Sequence, residues 1–444
     1  MTDRPELPNK PPFALRARLL TPQAGGDSRF EADALVEVDA AGQITTVRPW
    51  AERDAPSGSV VDVRPWLLLP GLIDLHAHLP QIPNAGLGAG LDLLTWLNRY
   101  IFPLERAFDR AAAERLAPAA FRAFAAAGTT TVVAYGALWP DSLDACFEAA
   151  ERHGIRAVIG KVMMDRITYD EAVAPGEILE LSLRQSAELC ARWHGRDAGR
   201  LRYAFTPRFA VSCTAELLSE SARLAAEAGA YWQTHLSEDL GEMGEVQRLF
   251  PTARDYLDVY DLASGLGART ILAHAIHLSQ REISRLAESG SHVAHCPASN
   301  LFLGSGNMPL AHYLDEGVSV GLGSDVAAGP EVSLFGAMRA GAYTQNALGA
   351  VAPRRPAVDP LGWLRLATLA GATALGLQDE IGSIETGKNA DLILVDPELT
   401  SPLPGIDASE PSEVMGRLIF RPHPAMVRGA WVRGRRLPAD EATL

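Results

Sequence analysis

Pro70-Gly71-Leu72-Ile73-Asp74-Leu75-His76-Ala77-His78 is the stretch on which the reading of this chain turns. An apolar run, Leu67 to Leu69 and then Leu72 and Ile73, leads into two histidines spaced i, i+2. Side chains at i and i+2 of a strand point to the same face. A buried strand ending here therefore offers two imidazoles to one side, which is half of a metal site. Two unrelated histidines at a strand end would give the same local pattern, so the rest of the chain has to decide.

Upstream, residues 13–69 read as short strands: Phe13 to Leu20, Ala34 to Val38, Ile44 to Val47 and Val60 to Leu69, with a hairpin signal at Ala41-Gly42. Downstream, apolar β-branched runs alternate with stretches rich in good helix formers. The strand candidates are Gly71–His78, Thr129–Tyr135, Ile155–Met164, Leu201–Phe209, Ala230–His235, Thr270–His274, His292–His295 and Val318–Gly323. Between them lie helical stretches such as Arg110–Ala127, Ser142–Arg152, Ile178–His194, Ala215–Ala228 and Gln280–Ser289, and later Val332–Gln345 and Pro360–Leu375. Eight β/α units with continuous buried strands imply a closed parallel barrel; a doubly wound open sheet is the competitor. Late strands at Leu392–Val395 and Ala425–Val432 are placed to return to the N-terminal strands. The expected fold is α/β: a (β/α)8 TIM-type barrel over 70–386, with a small β-sandwich domain built from both terminal segments, 1–69 and 387–444.

Composition narrows the partners. Across 444 residues, 40 Lys and Arg stand against 54 Asp and Glu, a formal charge of −14. Such a surface repels nucleic acid and anionic lipid, so neither is expected as a partner. Four cysteines lie far apart without a CxxC pair, which suggests a reducing compartment rather than disulfides or a thiolate zinc site. The opening residues lack the apolar core of a signal peptide, and no run of about 18 apolar residues occurs. A cytoplasmic setting is expected.

In a barrel of this kind the reactive groups sit at the C-terminal ends of the strands. Strand one ends in His76 and His78, strand five in Gln233-Thr234-His235-Leu236-Ser237-Glu238, strand six in His274, and strand eight in Gly323-Ser324-Asp325. Neutral imidazoles and a carboxylate suit a borderline divalent metal such as zinc or iron. A metal with an open position lowers the pKa of a water from 15.7 to about 7, on the order of 12 kcal/mol of deprotonation cost. Asp325 can ligate the metal and accept a proton. Glu238, three residues past His235, can carry a proton to a leaving group. Each has a plainer reading: Asp325 as a helix N-cap, Glu238 as a surface residue, His274 as a core histidine. His277 and His295 read as supporting or packing residues. No lysine stands at the fourth strand end, Phe205-Thr206-Pro207-Arg208-Phe209, where binuclear barrels carry a bridging one. Lys161 lies on strand three, so a single metal is expected. The HxE…PCxxC pattern of one class of zinc enzymes and GxGxxG phosphate loops are absent.

The chain resembles the amidohydrolase superfamily, and within it the guanine deaminases. PGLIDLHAHLPQ, WLNRYIFPLE, GTTTVVAYG, GKVMMD, TPRFAVSCT, QTHLSE, AHAIHLS, HCPASNLFLGSG and GLGSDVAAG match that family's blocks in order. GATALGLQDEIGSIETGKNADLILVD is shared across the superfamily. The resemblance implies one divalent ion per chain, zinc first and Fe2+ as the alternative, held by His76, His78, His235 and Asp325. It also implies that Gln81 and Arg208 bind the purine, with Arg208 reading its oxygen. Phe209 lies beside Arg208, where it can pack on the ring or serve the core. Glu238 matches the proton shuttle and His274 the histidine that stabilises the attacking oxygen. Leu79-Pro80 ahead of Gln81 depart from the pattern and touch only the pocket wall. The implied reaction is hydrolysis of guanine to xanthine and ammonia by a homodimer. The alternatives are an aminohydrolase for another heterocycle (a pterin, an oxidised purine or a triazine), a ring-opening cyclic amide hydrolase, and a scaffold without activity. The missing lysine and Glu238 speak against the second, and the complete ligand set against the third.

Overall fold

The computed structural model describes residues 5–51, 60–167, 173–174, 176–351, 358–403 and 409–439. The eight apolar runs form eight parallel strands: Leu72–His78, Thr129–Tyr135, Arg156–Gly160, Leu201–Pro207, Tyr231–Leu236, Thr270–His274, His292–His295 and Ser319–Leu322. Each bonds the next in chain order. Helices shield them outside and side chains fill the inside, which is why they read as continuous apolar runs. Five of the intervening helices match the expected stretches to within two residues. Their ends follow capping chemistry: the Asp109 carboxylate accepts from Ala112 N–H, and Gly154 leaves the next helix in the left-handed region at φ 93°.

Two expectations need adjustment. The third strand stops at Gly160, and pairing with strand four resumes only at Val162–Met163. The stretch expected as one helix over Pro360–Leu375 is two, Pro360–Leu366 and Leu369–Ala374, broken at Thr368 (φ −133°, ψ −89°). The break lets Ala372, Ala374 and Leu375 pack with Ile73, Leu75 and Val133 of the barrel interior. The Tyr231 hydroxyl, at the start of strand five, donates to the Leu375 carbonyl at 2.6 Å.

The first barrel strand carries a bulge. Asp74 pairs with Val132 and Ala77 with Ala134, so three steps on this strand oppose two on its neighbour. An extra residue reverses the inside–outside phase. Ile73 and Leu75 face the interior before the bulge, and His76 and His78 face the ligand cluster after it.

The seam between the first and last strands is closed by the segments that carry the site. Asp325 N–H donates to the His76 carbonyl at 2.7 Å, and His78 N–H to the Val326 carbonyl at 2.9 Å. The buried Asp74 carboxylate accepts from His76 N–H at 3.1 Å and from Ser324 N–H at 2.9 Å.

Both ends of the chain build a second sheet of seven strands. Its order is Arg435–Arg436, Val427–Val432, Leu392–Val395, Val60–Pro70, Phe13–Pro22, Ser28–Val38 and Ile44–Pro49. The terminal segments, expected as a small β-sandwich, share this one continuous sheet with a core of its own at Leu15, Ala17, Val36, Leu68, Leu394 and Trp431. Val60–Pro70 runs straight into the first barrel strand. The Arg156 guanidinium and the Asp391 carboxylate, 1% and 2% exposed, pair at 3.0 Å between the barrel and this sheet. Among the described residues no helix is long and apolar enough to cross a membrane.

Removing one member of a buried ion pair leaves the other charge uncompensated. Asp391→Ala also removes the acceptor of the Arg433 N–H. The expected destabilisation is about 3–5 kcal/mol, read from urea unfolding, whereas a loss below about 1 kcal/mol would mean that Arg156 reaches solvent instead.

Candidate active site

The strand ends converge as expected. His76 and His78 Nε2 lie 3.2 Å apart, and His78 and His235 Nε2 3.3 Å apart. Asp325 Oδ1 sits 3.2 Å from His76 Nε2 and 3.4 Å from His78 Nε2. Bonds of about 2.0–2.1 Å in a tetrahedral zinc site give ligand-to-ligand edges of about 3.3 Å. Facing lone pairs at this distance repel one another unless a cation or proton lies between them. Burial favours the cation, because it pushes His76 below the usual histidine range and His78 and His235 well below it. The His235 Nδ1–H donates to the Arg208 carbonyl at 2.5 Å, which turns its Nε2 lone pair to the cluster. The donor set fits a divalent ion.

Local backbone supports this. Gly323 has no room for a side chain: a Cβ there would lie 2.7 Å from His76 Cβ and 2.8 Å from Cys296 Sγ. Ser237, His274 and Asp325 adopt φ of 47°, 71° and 48°, unusual for residues with side chains. Such strain persists where the surrounding structure over-determines it, and it marks the ends of strands five, six and eight.

The two carboxylates differ in character. Burial alone would raise Asp325, but His76, His274 and a hydrogen bond from the Ser299 hydroxyl at 2.5 Å outweigh it and hold it below the usual range. Glu238 moves the other way: burial, then the charge of Asp325, push it well above the usual carboxylate range. Glu238 is no surface residue but is 3% exposed, just ahead of the helix Leu240–Leu249 that Asp239 caps. Its N–H donates to the Glu242 carboxylate at 3.0 Å, and the Tyr256 hydroxyl holds that carboxylate at 2.6 Å. His274 faces Glu238 across 3.4 Å with Nε2, while its Nδ1 donates to Asn300 Oδ1 at 2.9 Å.

A cleft opens onto this cluster. Gln81, Arg208, Phe209, Glu238 and His274 line it together with His78, His235 and Asp325. With His76, which adjoins His78 and Asp325 beneath the lining, the site residues expected from the sequence are in one place. Lys161 is outside it, with Nζ donating to the Val162 carbonyl and the Ser182 hydroxyl. His277 Nε2–H donates to the Ser305 carbonyl at 2.7 Å, and His295 is fully buried.

The sequence pattern of the amidohydrolase family matches residues 67–437. The chain belongs to the amidohydrolase family. Among its relatives in this family, guanine deaminase of Escherichia coli strain K12 is 39% identical over 343 residues, 77% of this chain and 75% of that one. The structure of the E. coli guanine deaminase superposes with a TM-score of 0.88 at 32% identity, covering 96% of this chain and 99% of that one. A guanine deaminase of C. acetobutylicum, with guanine bound in its active site, also gives 0.88, at 28% identity and the same coverage.

Several residues of this amidohydrolase site escape sequence reasoning. Tyr135, ending strand two, packs its ring against His76, His78 and His235. Ser299 and Asn300 sit inside the quoted HCPASN block, where a helix Pro297–Phe302 turns them toward Asp325 and His274. Glu105 is completely buried and pairs with Arg208. Its signal was a lone acid in the apolar YIFPLE stretch.

Hydrogen bonds to a ligating carboxylate orient it. Ser299→Ala should weaken divalent-metal affinity about 10–100-fold in a chelator competition, and undiminished affinity would show that Asp325 keeps its place unaided.

Proposed function

We propose that this chain is a metal-dependent hydrolase that converts guanine and water to xanthine and ammonia. The carrying observation is a single cleft in which Arg208 and Gln81 stand beside Glu238 and the ligand cluster. The guanine deaminases among its relatives support the same substrate. The reading includes one ion per chain, zinc by donor preference, held by His76, His78, His235 and Asp325. It also includes a homodimer in the cytoplasm, and a division into a catalytic barrel (70–386) and a unit of the two terminal segments. Elemental analysis and sedimentation test the ion and the dimer.

A bound ion supplies Lewis-acid activation of water at neutral pH. The protein does the rest. Arg208 offers a rigid forked donor for the purine carbonyl, Gln81 hydrogen-bonds the ring, and Phe209 walls the cleft. Water oxygen bonds to the carbon that bears the exocyclic amine, and the bond from that carbon to the amine breaks. One water proton ends on the adjacent ring nitrogen and the other on the departing ammonia. Asp325, ionised, is placed to accept a proton, and Glu238, protonated, to donate one. Their opposite tendencies make the pair an acid and a base at one pH. His274 stabilises the charge that develops on the attacking oxygen.

Metal-loaded protein incubated with guanine should release ammonia and xanthine in equal amounts. No release above background, with the metal confirmed, would sink the reading. Glu238→Gln should keep the metal and lower kcat about 10²–10⁴-fold.

A further inference from the structure

Glu105 belongs to the helix Phe102–Arg106, which follows a π-helical turn at Leu97–Ile101. Its side chain is completely buried, and it touches both groups assigned above to the purine. One carboxylate oxygen pairs with the Arg208 guanidinium. The other accepts from Gln81 Nε2 at 2.8 Å. Phe102, three residues earlier on the same helix, lies under Arg208 with 5.2 Å between guanidinium carbon and ring centre. An acid in this apolar wall is costly unless it is fully paired. Here both oxygens are used, and both on residues of the cleft.

The consequence lies in the direction of the hydrogen bonds. A carboxylate paired with arginine accepts and does not donate. The Gln81 amide must therefore turn its NH2 to Glu105, which leaves its carbonyl oxygen for the cleft. That oxygen is buried and has no hydrogen-bond partner. We infer that Glu105 is a positioning residue that sets the hydrogen-bond polarity of the substrate pocket. It holds Gln81 as an acceptor and Arg208 as a donor, so the pocket selects a ring N–H next to a carbonyl, the lactam edge of an oxopurine. A purine with an amine in place of that carbonyl brings the opposite pattern, an acceptor nitrogen beside a donor, and leaves both protein groups unpaired. Unpaired buried groups are what make such discrimination strong.

The inference rests on the guanine reading, and the test separates the two. Turnover of guanine by the unaltered, metal-loaded enzyme is measured first; its absence overturns the reaction. Competitive binding of hypoxanthine and of 2,6-diaminopurine, by thermal shift or inhibition, then reports pocket polarity whether or not turnover occurs. The unaltered enzyme should favour hypoxanthine. Glu105→Gln frees the Gln81 amide to turn over, because a neutral amide can donate to the Gln81 carbonyl. KM for guanine should rise about 10–100-fold with a smaller fall in kcat, since uniform binding is lost. The preference for hypoxanthine should shrink by at least about tenfold, with metal content unchanged. Glu105→Asp keeps the charge and should recover part of both, and it decides the matter if Glu105→Gln does not fold. Unchanged KM and unchanged preference in the folded variants would overturn the inference, as would a fall in kcat alone.

Discussion

The hydrogen bond from Asp325 N–H to the His76 carbonyl joins the last barrel strand to the first, and both residues are also metal-ligand candidates. Barrel closure and site assembly are thus one event. The Asp74 carboxylate reinforces the seam by accepting from both strands. Gly323 allows the close approach, because any side chain there would collide with His76. The unusual φ of Asp325 persists because contacts on every side over-determine it.

Around that seam, burial does most of the electrostatic work. It keeps the three imidazoles neutral, so that each has a lone pair to offer. It also pushes Glu238 up toward the protonated form, while hydrogen bonds and neighbouring histidines hold Asp325 down. Two carboxylates a short way apart thereby take different roles. The same dryness raises the stakes at Glu105 and Arg208, where neither charge is tolerable without the other. The ligand cluster and the proposed purine edge share one buried cleft but rest on separate residues: Ser299, Asn300 and Glu242 beside the cluster, Glu105 and Phe102 beside Arg208 and Gln81.

Much of this was readable from the chain. All eight strand positions followed from apolar runs bounded by turn residues, because a strand buried on both faces has no freedom to be polar. His76, His78, His235, His274 and Asp325 were identifiable because a barrel brings C-terminal strand ends together whatever the intervening sequence. The helix starts at Arg110, Ala215 and Gln280 match the stretches of good helix formers, and the side chains of Asp109, Thr214 and Ser279 cap them. These are local rules, and local rules survive without coordinates.

Other features depended on approach between distant segments. A strict period of two would set His76 and His78 on the face of Asp74, opposite Ile73 and Leu75. The bulge before Ala77 exists only as a mismatch with the neighbouring strand, so no single strand could reveal it. Glu105 looked like one acid in an apolar helix until Gln81 and Arg208, 24 and 103 residues away, were seen to share it. The sequence by itself determined which residues would meet at the strand ends, since periodicity and burial are carried by each segment alone. The tertiary structure decided which way those residues point and whether the pocket donates or accepts, since hydrogen-bond direction is a property of pairs.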